Sequence, residues 1–219
     1  MEQWSLIILQ HFTTRVYESL ERLQTDYIDL LYIHSPDKET PKSEAVGAIQ
    51  ELKEKGAIRA IGVLDFSEAQ LKEANQDGYV NVVQDEYGLI NREMEKRLFP
   101  YTREHHISFV PFSPFASGLL AGKYTKDMVF PEGDLHTRKA HFQGKAYIQN
   151  LQKVEQLRDI AAEKEVEIAN LVLAWYLTQD AIDVLIPGAK RSDQVVDNLK
   201  TLEITLTEDE IVAIDHLFS

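Results

Sequence analysis

Cysteine is absent from the 219 residues. That removes disulfides, thiol nucleophiles and thiolate-bound zinc together, and it suits a reducing cytoplasm, the compartment expected for this chain. No apolar run approaches the ~20 residues that a membrane-crossing helix needs. The opening Met1-Glu2-Gln3-Trp4, ahead of the apolar stretch from Ser5 to Leu9, lacks the basic residues and cleavage site of a secretion signal, so none is expected. Positive charge is also in deficit: 23 Lys and Arg stand against 36 Asp and Glu, a formal net charge of -13. An acidic surface repels phosphate backbones and anionic headgroups, which argues against nucleic-acid and membrane partners. The dinucleotide fingerprint G-x-G-x-x-G is missing as well. The segment Gly118-Leu119-Leu120-Ala121-Gly122-Lys123 is no Walker loop, because its glycines are one residue too close and its Lys precedes Tyr124 rather than Ser or Thr.

What is present is an ordinary globular composition, 44% hydrophobic and 27% charged, most simply read as one domain. Apolar periodicity predicts alternating elements. A helix is expected over 12–23, then a strand from Tyr27 to Ile33 whose nearly continuous apolar run suits burial on both faces. A helix follows from Lys42 to Lys55, stopped by Gly56. Further strands are expected at Ile58 to Val63, Val80 to Val83, Ile107 to Phe112 and Asp183 to Ile186. Between them fall helices from Ser67, as N-cap, to Asn75 and from Arg92 to His105. A long irregular stretch, Pro114 to about Lys145, has the length of a lid or binding loop. Two helices over 148–179 follow it, and helices at Ser192 to Leu202 and Glu208 to Phe218 close the chain. The polar residues of chemical interest sit where strands end, as in a (β/α)8 barrel, where active sites gather at that face. The expected fold is therefore α/β, a TIM-type barrel with about five of eight βα units present.

Five segments carry a resemblance: "RLQTDYIDLLYIHSPD", "GAIRAIGVLDFS", "VVQDEYGLINRE", "PFSPFASGLLAGKY" and "LIPGAKRSDQVVDNL". In this order and spacing they resemble the aldo-keto reductase family, and the "FPEGDL" segment is similar to bacterial members of the kind found in inositol-utilisation operons. Residues 12–219 carry the likeness as the C-terminal portion of the barrel, while 1–11 match no segment recognised. The resemblance implies an NADP(H)-dependent reductase of aldehydes and ketones, acting on a small carbonyl substrate. His34 then matches the histidine that orients the carbonyl. The family's proton-donating Tyr, with its Lys and Asp, belongs to segments that would precede residue 1.

The cofactor residues implied by the resemblance are Gln84 for the nicotinamide amide, Phe112 for stacking on its ring, and the loop Ser113, Pro114, Phe115, Ala116, Ser117 with Lys123 over the pyrophosphate. Gly188, Ala189, Lys190 and Arg191 would hold the adenosine 2′-phosphate, with Gln194 and Asn198 on the adenine. A basic pair opening a helix is a sound anion site in its own right. Four positions depart from the family: Leu64-Asp65 replaces Ser-Asn and loses two donors, Phe112 replaces Tyr, and His136 replaces an Arg. The histidines 105, 106, 136 and 141 lack the carboxylate spacing of a metal site, and solvated surface is expected for them.

Two functions of different kinds follow. One is a carbonyl reductase, with little turnover expected from this polypeptide alone, since a positioned general acid contributes about 10²–10⁴-fold. The other is a non-catalytic cofactor-binding or interaction protein, like the potassium-channel β subunits of the same superfamily, or a degenerate product. Open sheet edges predict self-association or reliance on a complementary N-terminal fragment.

Overall fold

Branched aliphatic runs bounded by turn residues form the sheet. The computed structural model describes residues 2–219, with side chains from residue 6. Its four strands are β1 (Ile28–Ile33), β2 (Ile58–Leu64), β3 (Val82–Glu86) and β4 (Ser108–Phe112), ordered β1-β2-β3-β4. The pairs β1·β2 and β2·β3 are parallel, with Tyr32 opposite Gly62 and Leu64 opposite Gln84. Each parallel step needs a crossover, and helices supply them: α2 (Lys42–Glu54) before β2, α3 (Glu68–Ala74) before β3, and α4 (Met94–Arg97) with α5 (Phe99–Glu104) before β4.

The chain divides into two compact units. The first holds residues up to Asp85 together with Met94–Val110, and the second holds Glu86–Glu93 and Pro111–Ser219. In the first, Ile49, Leu52, Ile61, Val63, Leu71 and Phe109 are fully buried. The second is built on α6 (Gly144–Glu163), α7 (Ile168–Leu177), α8 (Ser192–Leu199) and α9 (Glu208–Phe218), with Leu119, Leu157, Trp175 and Ile214 in its core.

Local signals explain most boundaries. Ser67 caps α3 in a reciprocal box with Gln70, and Thr207 caps α9 with Glu210. Gly56, at φ 78°, ends α2 in the left-handed conformation that only glycine adopts without cost. Gly62 has a different reason. A Cβ there would come within 2.5 Å of the Tyr32 ring, which lies across the neighbouring strand.

Several expectations need correction. The first helix, α1 (Glu2–Leu23), begins ten residues earlier than expected, because its apolar face continues through Leu9 and Phe12. The helix expected from Arg92 to His105 is split, since Pro100 has no N–H to continue the ladder. The third strand lies at Val82–Glu86, two to three residues later than expected. Strand β1 is only half-buried, not covered on both faces, because it is the edge of the sheet. Residues 183–186 form no strand, and Val184 and Ile186 are 51% and 42% exposed. The irregular stretch after β4 contains three short 3-10 turns, Leu119–Ala121, Leu135–Arg138 and Ala140–Phe142. Among the described residues no helix is long and apolar enough to cross a membrane.

Candidate active site

Parallel register brings the strand ends of the first unit together. His34 follows β1, Leu64 ends β2 opposite Gln84 of β3, and Asp65 donates its N–H to the Gln84 carbonyl at 3.1 Å. His34 is exposed, Gln84 half-buried, and neither side chain has a partner among the described residues. Asp65 takes φ 60°, a left-handed conformation that Asp and Asn tolerate better than other side chains. The departure from Ser-Asn therefore keeps the backbone turn while giving up side-chain donors.

The segment after His34 is held firmly. The Asp37 carboxylate accepts the N–H groups of Glu39 and Thr40, each at 2.7 Å. The Thr40 N–H is the first cause that holds its pKa down to about 2. Lys42 is buried, and its ammonium donates to the carbonyls of Asp37 and Thr40. Its backbone N–H goes to Glu73 at 2.7 Å.

In the second unit the loop after Phe112 is tightly wound. Ser113, Ala116, Ser117 and Gly118 all have positive φ (57°, 46°, 59° and 90°). Three of them are not glycine, so surrounding contacts must hold them. The Ala116 N–H donates to Ser113 at 2.8 Å and Gly118 N–H to Phe115 at 2.9 Å. The Tyr176 hydroxyl lies 3.0 Å from the Tyr87 carbonyl and 3.1 Å from that of Pro114. Burial pushes its pKa well above the usual phenol range.

Beyond this loop, Lys123 is exposed and His136 turns inward. The His136 Nδ1 meets the Asp134 carboxylate at 2.5 Å, and its Nε2 lies 3.0 Å from the Tyr124 hydroxyl and 3.1 Å from the Ser117 carbonyl. Phe130 stacks on the His136 ring, with Phe142 edge-on to both. His136 thus closes a clasp across the loop. His141 is half-buried, with a pKa lowered by that burial. The expectation of solvated surface is therefore wrong for His136 and His141, whereas His105 and His106 are exposed. Among the described residues no group of three His, Asp or Glu could hold a metal.

At the far end, Gly188, Ala189 and Lys190 are exposed, and α8 follows. The Gln194 side-chain oxygen accepts the N–H groups of Lys190 at 2.7 Å and Arg191 at 3.2 Å. Arg191 forks onto Asp193 at 2.9 and 3.0 Å, while the Lys190 ammonium has no partner among the described residues. Asn198 is half-buried one helical turn after Gln194. Sequence reasoning missed the Tyr176 pin and the Asp134–Tyr124 clasp. The clasp had a local trace, Asp at the N-cap two residues before His136, but Tyr176 gave none.

Residues 5–218 match the model of the aldo/keto reductase family. The chain is 34% identical over 196 residues to the NADH-specific methylglyoxal reductase of Escherichia coli, covering 88% of this chain and 60% of that protein. It is 35% identical over 181 residues to the aldo-keto reductase YhdN of Bacillus subtilis, covering 82% and 55%. The solved glycerol dehydrogenase AKR11B4 of Gluconobacter oxydans superposes with a TM-score of 0.90 at 29% identity, covering 95% of this chain and 64% of that one. The chain belongs to the aldo/keto reductase family, with the family's (β/α)8 type of α/β fold over the part present. It spans about three-fifths of the length of these relatives.

Proposed function

We propose that the chain carries the carbonyl-orienting and cofactor-holding portion of an NADP(H)-dependent carbonyl reductase acting in the cytoplasm. The observation that carries this reading is the register, which sets His34 just after β1 and Gln84 within β3, with β2 between them in one parallel sheet. The residues present fit a nicotinamide dinucleotide at two places: the Gln84 amide has hydrogen-bonding capacity unused, and the Lys190 ammonium is free beside a helix start. When bound, the dinucleotide supplies hydride to a carbonyl carbon. In this reading the His34 imidazole donates a hydrogen bond to the carbonyl oxygen and orients it. Lys190, helped by Arg191, holds the 2′-phosphate.

A proton for the developing alkoxide is the weak point. Tyr32, Tyr124, Tyr147 and Tyr176 all have their pKa values pushed up, with burial the first cause of each. A raised pKa makes a phenol a poorer acid at neutral pH. We therefore expect the pure 219-residue polypeptide to bind NADPH weakly and to oxidise it slowly or not at all with an activated aldehyde. Fluorescence titration and NADPH oxidation test the two halves separately. A Lys190→Ala/Arg191→Ala double variant should abolish binding. Ordinary turnover by the pure chain would refute the reading of the missing acid, and binding untouched by the double variant would refute the phosphate site.

A further inference from the structure

The half-buried His136 ring sits among acceptors. Its Nδ1 lies 2.5 Å from the Asp134 carboxylate, and its Nε2 lies 3.1 Å from the Ser117 carbonyl. Neither oxygen has a hydrogen to give, so each nitrogen meets its partner best with its own hydrogen in place. The third neighbour, the Tyr124 hydroxyl, lies 3.0 Å from Nε2 and donates to the same Ser117 carbonyl at 3.2 Å. An imidazolium makes all of these contacts at once. Without the Nε2 hydrogen, two lone pairs face each other across 3.1 Å, and the single phenolic hydrogen serves either Nε2 or Ser117. The aromatic surroundings favour the cation as well, because Phe130 stacks on His136 with ring centroids 4.6 Å apart.

The other titratable groups around the ring hold one state near neutral pH. The backbone N–H of His136 is first among the causes that keep the Asp134 carboxyl below the usual carboxylate range. Burial raises the Tyr124 and Tyr147 phenols and turns His141 toward its neutral form. Arg138 ends the same 3-10 turn and Lys139 follows it; against their positive charge acts the Asp134 carboxylate, which touches the ring. That leaves the imidazole of His136, histidine being the side chain suited to change charge in this interval.

Ser117 needs such a hold. It takes φ 59° without being glycine, in a run with Ser113, Ala116 and Gly118. The other end of the loop is tied differently: Arg158 donates to the Gly122 carbonyl at 2.9 Å, and a guanidinium keeps its charge throughout. One end is thus held at every pH and the other depends on a proton. We propose that protonated His136 is a positioning residue that fixes the Ser117 end of the loop and, through it, slows release of a bound dinucleotide. The second half rests on the cofactor reading of this loop; the first half does not.

Hydrogen exchange on the whole chain without ligand tests the first half. Protection factors, corrected for the intrinsic dependence of exchange on pH, are compared at about pH 6 and about pH 8 for residues 113–124, with α7 as reference. Protection of the loop should fall about tenfold toward the higher pH, the scale of one hydrogen bond to a charged group, while α7 stays unchanged. His136→Arg supplies a cation that does not titrate and should keep the higher protection at both values. His136→Phe should show the lower protection at both. Release of NADPH, followed by its fluorescence, should quicken over the same interval in the wild type and stay flat in His136→Arg. Wild-type protection that ignores pH overturns the clasp, as does a pH response that survives in either variant, so one folded variant suffices. A pH-dependent loop in a chain that binds no NADPH supports the clasp and overturns the cofactor reading. A wild-type release rate indifferent to pH overturns the second half alone.

Discussion

The hydroxyl of Tyr176 lies 3.0 Å from the carbonyl oxygen of Tyr87, with the Pro114 carbonyl within 3.1 Å of the same atom. One phenolic hydrogen is shared between two buried acceptors, so the helix α7 pins the segments that leave β3 and β4 at a single point. Tyr176→Phe keeps the ring and removes the pin. It should lower unfolding stability by roughly 1–3 kcal/mol, the cost of leaving a buried acceptor unsatisfied. The same pin makes Gly88 indispensable, because a Cβ there would overlap the Tyr176 hydroxyl. Gly88→Ala should therefore destabilise the wild type but be much better tolerated in the Tyr176→Phe background. Urea unfolding of the two single variants and the double variant measures this coupling. Simple additivity would rule out the contact as its cause.

The Arg191–Asp193 fork predicts how the basic end should respond to substitution. Arg191 is drawn onto Asp193, whose carboxylate pKa is lowered by that guanidinium. The pair is exposed and offers an incoming phosphate only part of its charge. Asp193→Asn should free Arg191 and tighten NADPH binding about three- to tenfold, with a smaller effect on NADH, which lacks the 2′-phosphate. Lys190→Ala should cost more NADPH affinity than Arg191→Ala. Titrations at two salt concentrations check the electrostatic origin, since screening should shrink both differences.

The turn after His34 carries a pH signature. Asp37 is held at about 2, from an ordinary 3.8, by the Thr40 N–H above all. Because the folded-state pKa is the lower one, the turn's contribution is complete above pH ~3.8 and fades as pH falls toward 2. An NMR titration of the Asp37 carboxyl should show its midpoint near 2, with the Glu39 and Thr40 amide signals moving alongside it. In Asp37→Asn those amides should lose that titration. A midpoint near 4 would mean that the two short hydrogen bonds are not formed in solution.

How much of this was legible beforehand depends on the range of the interaction. Caps and stops are written within four residues, so Ser67, Gly56 and Thr207 could be located from the sequence, and α9 begins and ends where expected. The family motifs placed His34 and Gln84 at strand ends; His34 does follow β1, but Gln84 lies in the middle of β3, which runs on to Glu86. The strand expected at 183–186 failed because a parallel strand exists only through its pairing, which an apolar run does not encode by itself. His136 was read as a replaced Arg on solvated surface because its partners, Tyr124 and Ser117, lie twelve and nineteen residues away.

Strand β1 makes the last prediction. It is one of the two edges of the sheet among the described residues, and its apolar side chains Ile28, Leu30, Leu31 and Ile33 are only half-buried. An edge strand of this kind offers unpaired backbone groups to another strand, whether from a second copy or from a complementary fragment. We therefore expect concentration-dependent self-association in sedimentation velocity. Leu30→Lys should shift it several-fold toward monomer, because a lysine on the edge opposes strand addition and adds repulsion between copies. Asp29 already carries charge on this strand but is tied to Arg59 at 3.2 Å, so Arg59→Ala should act in the same direction by exposing that carboxylate. A wild-type chain that remains a monodisperse, cooperatively melting monomer at all concentrations would show that the edge is protected in some other way.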